Sequence, residues 1–360
     1  MVACALTTAH CVGGWIGFLI AAGWVFVLQP RLRYRRARRH ALGRTASSEV
    51  INAIAQCEDP MLYRLSLEFA LFRTYAIPSI SKLLDATGEF RLRTCRRYDD
   101  TDLILRELTE NGVRSARGEA AVGRLNCIHA QHVISNEDYV YTLSVFVLEP
   151  QRFFERWGWR KYARAERVAA AAMWREIGLR MGIKNVPETF EAFQAVNEAF
   201  EARHMTLAAS NARVGDPTIA LMLSTPPAAW ISRLLPRGIS LKCCVVALMD
   251  ERLRLAMGYE SAPAHLACAL DAVLKLRAAV FRHLLPPRFT EHRRTRPEVE
   301  REREPLSGGS WGDRVARAAQ EPRRAHFHIY GKTYKDGYTI DTLGPPQAPT
   351  TARAKKVADS

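Results

Sequence analysis

From Val2 to Gln29 the chain carries no charged side chain apart from the titratable His10. The core of this run, VGGWIGFLIAAGWVFVL at Val12–Leu28, is long enough to cross a bilayer as one helix. An apolar run of this kind near the start of a chain is either a spanning helix or a cleaved secretion signal. No basic region precedes it, no small-x-small cleavage site follows, and Arg31, Arg33, Arg35, Arg36, Arg38 and Arg39 come directly after it. That pattern favours a retained anchor. Arginines flanking a spanning helix stay on the cytosolic side. The expectation is therefore a single-pass anchor at about 12–28 within residues 1–29, with the N-terminus across the membrane. Residues 30–47 would form a basic juxtamembrane linker, and the bulk of the chain would lie in the cytosol. Trp15 and Trp24 are placed to sit towards the two interfaces. In a eukaryotic cell the default membrane is the endoplasmic reticulum.

The same cluster accounts for much of the charge. The chain has a net charge of +15, and the seven arginines of Pro30–Arg44, with no acid among them, leave +8 for the rest. Basicity is thus a weak argument for nucleic acid, and no zinc-finger, RNP or helix-turn-helix signature revives it. No nucleic-acid partner is expected. Eight cysteines form no CxxC and no even framework; two precede the apolar core and Cys243–Cys244 are adjacent in an apolar run. Buried free thiols in a reducing compartment fit this spacing better than disulfides or a zinc site.

Beyond the anchor, apolar residues recur at helical spacing and strand-type alternation is scarce. Helices are expected at Glu49–Ala55, Pro60–Leu71, Asp99–Leu108, Arg160–Met181 and Glu188–Leu207. Leu221–Leu235, Leu241–Met257 and Ala264–Leu285 complete the set. Pro78 interrupts Phe72–Leu84, with Ser79 or Ser81 available as a new cap. The expected fold class is all-α, one helical domain over residues 48–285. Residues 286–325 hold ten arginines, seven acids and five prolines up to Arg324, with few large apolar side chains, so a solvated or disordered segment is expected there. Residues 326–346 regain aromatic content and are expected to pack back on the domain, with turns at Gly337 and Gly344. Residues 347–360 read as a disordered terminus.

Chemistry concentrates in AAVGRLNCIHAQHVISNEDYVYTLSVFVLEP at Ala120–Pro150. His129 and His132 lie three apart, which on a helix puts both imidazoles on one face. Ser135 with Asp138 at the third helical position signals a helix start before a mostly apolar run, and Pro150 signals its end. A second polar pair, Arg97 and Thr101, is four apart and also shares a helical face. A histidine is the common axial ligand of haem iron, and an arginine with a hydroxyl can polarise a nearby dioxygen. By spacing alone, however, the ordinary reading of both pairs is a hydrogen-bonded core residue or a solvated face. No GxGxxG, GxxxxGK[ST], HExxH or nucleophile elbow occurs. His326 and His328 form an HxH pair without a third ligand nearby in sequence.

Six pieces, in order over most of the chain, carry a resemblance. They are FRTYAIPSIS at Phe72–Ser81, RRYDDT at Arg96–Thr101 and RLNCIHAQHVISNEDYVYTLSVFVLEP at Arg124–Pro150. WGWRKYARAE at Trp157–Glu166, MWREIGLRMGIKNVPET at Met173–Thr189 and GYTIDTLGP at Gly337–Pro345 follow. Together they resemble the family that joins the fungal ER-bound oxygenases of mycophenolic acid biosynthesis with the catalytic domain of rubber oxygenase. The resemblance implies an all-helical, haem-binding fold behind a membrane anchor, with haem b as cofactor and dioxygen as co-substrate. It also implies cleavage of a carbon–carbon double bond in an isoprenoid chain, with the catalytic domain in the cytosol. The family's axial histidine falls in the LNxxH piece, making His129 the first choice of iron ligand and His132 the fallback. Arg97 and Thr101 match the Arg-x-x-x-Thr pair, which implies distal roles beside dioxygen. Arg124, five residues before His129, is within reach of a haem propionate. The run at 286–325 has no counterpart among these pieces.

The expectation that follows is a membrane-anchored haem oxygenase acting on a lipophilic prenylated or polyketide-type intermediate of secondary metabolism. The alternative from another class is a non-catalytic, membrane-tethered lipid carrier or scaffold on the same fold.

Overall fold

The computed structural model describes residues 14–42, 47–224, 240–285, 288, 290–293, 295–297, 310–325 and 333–346. Its first helix, α1, contains the apolar stretch Gly14–Arg36, passes through a π-helical turn at Trp24–Leu28 and continues as Gln29–Leu42. Trp15, Phe18, Leu19, Ile20 and Phe26 are 63–68% exposed, so nothing among the described residues covers them. By length and composition this helix is able to cross a membrane. Further along, α1 changes character. Gln29 and Arg33 are buried, and Arg33 Nε donates to Gln29 Oε1 (3.1 Å) and to the Leu285 carbonyl (2.8 Å). Its guanidinium lies 5.6 Å from the centroid of the Trp159 ring and 5.7 Å from that of Phe281. The start of the basic segment is thus a docked helix rather than a loose connection.

The domain is helical throughout, with one two-stranded antiparallel ribbon among the described residues, Thr295–Pro297 (β1) against Arg323–Ala325 (β2). It opens with α2 (Ser47–Asn52), which runs into a π-helical turn at Ala53–Glu58. The core helix α3 (Pro60–Thr74) starts where Asp59 accepts the Leu62 N–H (3.1 Å) and Pro60 takes a position that needs no donor. After it come α4 (Pro78–Ala86), the single turn α5 (Glu89–Leu92), α6 (Thr94–Asn111) and α7 (Ala116–His129). The long α8 (Asn136–Trp157) and its neighbours α9 (Arg164–Arg180) and α10 (Phe190–His204) build the opposite side. The set closes with α11 (Ala209–Leu223), α12 (Leu241–Leu248), α13 (Glu251–Met257), α14 (Ala264–His283) and α15 (Trp311–Gln320).

Packing radiates from the α3–α8 pair, joined by Phe69 on Phe153 at 5.1 Å between centroids. On the far side of α8, Phe146 stacks on Trp174 of α9 (4.6 Å) and Tyr141 on Phe200 of α10 (4.7 Å). A buried charge cluster locks these helices together. Arg73 donates to both carboxylate oxygens of Glu201 (2.8 and 2.7 Å), pairs with Asp250 and lies 3.5 Å from Glu149.

Several boundaries differ from the sequence reading. Pro150 is expected to end a helix, yet α8 runs through it to Trp157. Proline lacks the N–H that would bond the Phe146 carbonyl, an interior cost of about 3 kcal/mol. Burying Phe153, Phe154 and Trp157 beyond it returns roughly 2 kcal/mol each, so the helix continues. Neither Ser79 nor Ser81 caps α4. Ser79 donates to Asp138 Oδ1 (2.7 Å), and Ser81 meets Ser210 and Asn211 (2.8 and 2.6 Å). The helix read at Leu241–Met257 is two, because Asp250 caps a new start by accepting the Leu253 N–H (3.0 Å). The one read at Leu221–Leu235 lies outside the described residues beyond Ser224, as do His326 and His328. The described cysteines are free, but only Cys57 is buried and Cys268 is exposed.

The segment 286–325 is not uniformly solvated. Ser310 and Asp313 form a capping box that starts α15, and Ala318 and Ala319 are buried against the domain. Arg117 of α7 donates to the Ala318 carbonyl (3.0 Å), and Trp311 Nε1 to Glu119 (2.8 Å). Beyond it, Tyr334, Tyr338, Ile340 and Leu343 are buried, so the tail is a strap laid over α6 and α7.

Candidate functional site

One cavity of about 710 Å³ runs between α3, α4, α6, α7, α8 and α11, and its walls are mainly apolar. Its size falls within the roughly 300–1,000 Å³ of small-molecule and cofactor sites. His129, His132, Arg97 and Thr101 all line it. Four residues from two separate stretches of sequence therefore converge on one mainly apolar space.

His129 is the last residue of α7, a helix started by Ser115, whose hydroxyl accepts the Gly118 N–H (3.0 Å). Its ring lies 5.5 Å from that of Tyr139, on the first turn of α8. Its Nδ1 is buried and has no hydrogen-bond partner. A buried imidazole pays for any proton it holds, and the Arg97 charge works in the same direction. Burial first, then Arg97 and His132, lower its pKa to about 4. His129 is thus neutral at physiological pH, the state in which imidazole ligates a metal.

Arg97 and Thr101 sit one turn apart on α6. The guanidinium donates to the Thr101 hydroxyl, which itself donates to the Arg97 carbonyl (3.0 Å), and lies 5.4 Å from the centroid of the Phe90 ring. This fixes the guanidinium at the cavity wall. His132 does not share a helix with His129. The helix ends at His129, the chain turns, and the His132 N–H bonds the His129 carbonyl (2.9 Å), leaving its side chain half-buried at the cavity.

Arg124 is placed differently from the expectation of a propionate partner. It does not line the cavity; it is 2% exposed, and its Nε donates to the Leu343 carbonyl of the strap (2.6 Å). The α7 face that carries Arg124 is covered by the C-terminal tail, which spacing within α7 could not reveal.

That strap is the part of the site that spacing missed. Gly344 and Pro345 line the cavity. The Gly344 N–H donates to Asp100 Oδ1 (2.8 Å), Tyr334 donates its hydroxyl to the same oxygen, and Arg96 donates to the Gly344 carbonyl (3.0 Å). Burial raises the Asp100 pKa, and these bonds together with the Arg97 and Arg96 charges act against the rise. Gly344 sits at φ +97°, and a Cβ there would come within 2.6 Å of Ile128, next to His129. Two signals pointed here: the acid inside RRYDDT, and the glycine closing GYTIDTLGP.

The donor set suits haem. Among the described residues no three His, Cys, Asp or Glu side chains are grouped to hold a metal ion. What the cavity offers is a neutral imidazole with a buried, unpartnered nitrogen, mainly apolar walls, and the Arg97 guanidinium held by Thr101. An iron that brings its own macrocycle needs that much from a protein.

An all-helical domain enclosing such a cavity has room for a small, mainly apolar molecule. Comparison with known proteins agrees. The profile described as ER-bound oxygenase mpaB/B'/Rubber oxygenase, catalytic domain, matches residues 74–321. The match runs across most of the arginine- and proline-rich segment that the short resembling pieces left out. The chain is 30% identical over 304 residues to the ER-bound oxygenase mpaB' of Penicillium brevicompactum, covering 76% of this chain and 70% of the relative. It is 30% identical over 275 residues to the ER-bound oxygenase mpaB of Penicillium roqueforti (strain FM164), covering 68% and 89%. The chain belongs to this oxygenase family, and is accordingly an oxidoreductase.

Proposed function

We propose that the chain is a membrane-anchored, haem-dependent oxygenase that cleaves a carbon–carbon double bond in a lipophilic isoprenoid or polyketide-type intermediate of secondary metabolism. One observation carries the reading: the neutral His129, its Nδ1 buried and unpartnered, and the Arg97–Thr101 pair line the same mainly apolar cavity. When bound, haem b supplies the iron at which dioxygen is activated. His129 is the residue that would hold that iron, with His132 next to it in the chain as the other imidazole at the cavity. Arg97 supplies fixed N–H donors for an oxygen on which negative charge develops, and the low dielectric of the cavity strengthens that interaction. Thr101 keeps the guanidinium in place through its hydrogen bond. The apolar walls take up the alkene and exclude water from the reacting carbons.

The bookkeeping closes without an external reductant. Both bonds of the alkene break, and each of its carbons leaves as a carbonyl bearing one atom of the same dioxygen. The relatives are named ER-bound, and α1 with its arginine flank supports single-pass anchoring in that membrane with the domain on the cytosolic side. Anchoring suits a substrate that partitions into lipid.

The test is an isoprenoid alkene incubated with haem-loaded protein under isotopically labelled dioxygen and read by mass spectrometry. Two carbonyl fragments, each carrying one labelled atom, are expected, and Arg97→Ala should suppress both. An alkene recovered intact from folded protein that has taken up haem, or a folded protein that binds the alkene but takes up no haem, would support the carrier reading instead.

A further inference from the structure

Helix α14 has an apolar outward face that nothing among the described residues covers. Val273 and Leu276 are 61% and 65% exposed, Leu284 just beyond the helix is 56% exposed, and Ala269, Ala272 and Ala279 are exposed on the same side. Residues 269, 272/273, 276, 279/280 and 284 follow helical spacing, so they form one stripe rather than scattered positions. A stripe of this kind facing water is costly, and in a soluble protein it marks a contact surface.

The position of α14 says what that contact is. Its C-terminal end lies beside α1 within the apolar span, not beyond it. The His283 ring is 5.5 Å from that of Phe26, and its Nδ1 is 3.2 Å from the Val25 carbonyl. Val25 precedes Leu28 by three residues, so at about 1.5 Å per residue the end of α14 is level with a point about 5 Å inside the apolar run. Arg33 fixes this arrangement by bonding the Leu285 carbonyl. Lys275 and Arg282, both exposed on α14, lie by helical spacing along one edge of the stripe and bring positive charge to it. An apolar stripe with a cationic margin matches the boundary between acyl chains and anionic headgroups.

We infer that α14 is a second membrane contact: its Val273–Leu276–Leu284 stripe lies in the cytosolic interface of the bilayer that α1 crosses, and holds the catalytic domain down on the lipid surface. This rests on the anchor reading of α1, and goes beyond it by fixing the orientation of the domain.

The test uses the full chain in lipid vesicles, with an environment-sensitive fluorophore on a single introduced cysteine in a Cys268→Ser background. Signal from the background protein is subtracted. Three sites are compared: Phe18→Cys in the span, Leu276→Cys on the stripe, and Leu207→Cys, an exposed leucine in the α10–α11 connection. Each is exposed in the fold, so none disturbs a core. Quenchers are a lipid carrying a nitroxide on its acyl chain and aqueous iodide. The expected result is several-fold stronger lipid quenching at 18 and 276 than at 207, with the iodide order reversed. Lipid quenching at 18 alone overturns the inference and leaves the anchor standing. No lipid quenching at 18 overturns both. A label at 276 shielded from lipid and iodide alike would mean that a second copy covers the stripe, which also overturns it.

Discussion

Acid should destabilise the cofactor-free protein through His129 by an amount that can be worked out. Burial and the Arg97 charge hold its pKa at about 4 in the folded state, against 6.5 for a free imidazole. A pKa unit is worth about 1.4 kcal/mol, so the gap amounts to roughly 3 kcal/mol. The sign follows from which state binds the proton. Above about pH 6.5 neither state is protonated and stability is full. As pH falls from 6.5 towards 4, the unfolded chain takes up a proton that the folded protein refuses, and stability drops until both are protonated. The assay is urea denaturation of the haem-free chain in mild detergent at pH 7.5 and 4.5, for wild type and His129→Leu. Other titrating groups contribute equally to both, so the wild type should lose about 2–3 kcal/mol more than the variant. Equal losses would refute the argument, because they would mean that His129 is hydrated or charged in the fold.

Four further outcomes are expected. Asp100→Ala leaves the Gly344 N–H unsatisfied in a buried place and takes from the Tyr334 hydroxyl one of its two acceptors, the Thr342 carbonyl remaining, and should cost roughly 1–3 kcal/mol in thermal or chemical unfolding. Gly344→Ala forces a side chain onto a φ of +97° and against Ile128, so a loss of about 1–3 kcal/mol is expected, with weaker haem retention because Ile128 adjoins His129. Arg124→Ala should lower stability by loosening the strap. Arg97→Ala should leave folding and haem content near wild type while slowing turnover on the order of 10²-fold or more, as judged by product formation.

Much of this site could be read from residues, because its parts are local. Ser135 does start α8, accepting the Asp138 N–H (3.0 Å), as the spacing said. The Asp138 carboxylate, however, turns away to Ser79, a tertiary partner with no sequence signature. Arg97 and Thr101 are legible because a four-residue step on a helix fixes their contact. The His129–His132 pair is only half legible. The step of three suggests one helical face, but α7 stops at His129, so the two imidazoles meet the cavity from a helix end and from a turn. Pro150 misleads for the opposite reason, since a proline rule is local whereas the burial of Phe153, Phe154 and Trp157 is not. Arg124 and the strap show the limit most clearly. They pair residues more than two hundred positions apart, and composition alone described the intervening segment as solvated although α15 packs within it.

The central claim is that His129 is the imidazole of a haem site, and one absorption measurement addresses it directly. The full chain, supplied with haem and freed of excess, should show a Soret band that His129→Ala abolishes or shifts and that His132→Ala leaves in place. A folded, colourless wild type would contradict the account. A band that survives His129→Ala but is lost in His132→Ala would contradict the assignment of the ligand.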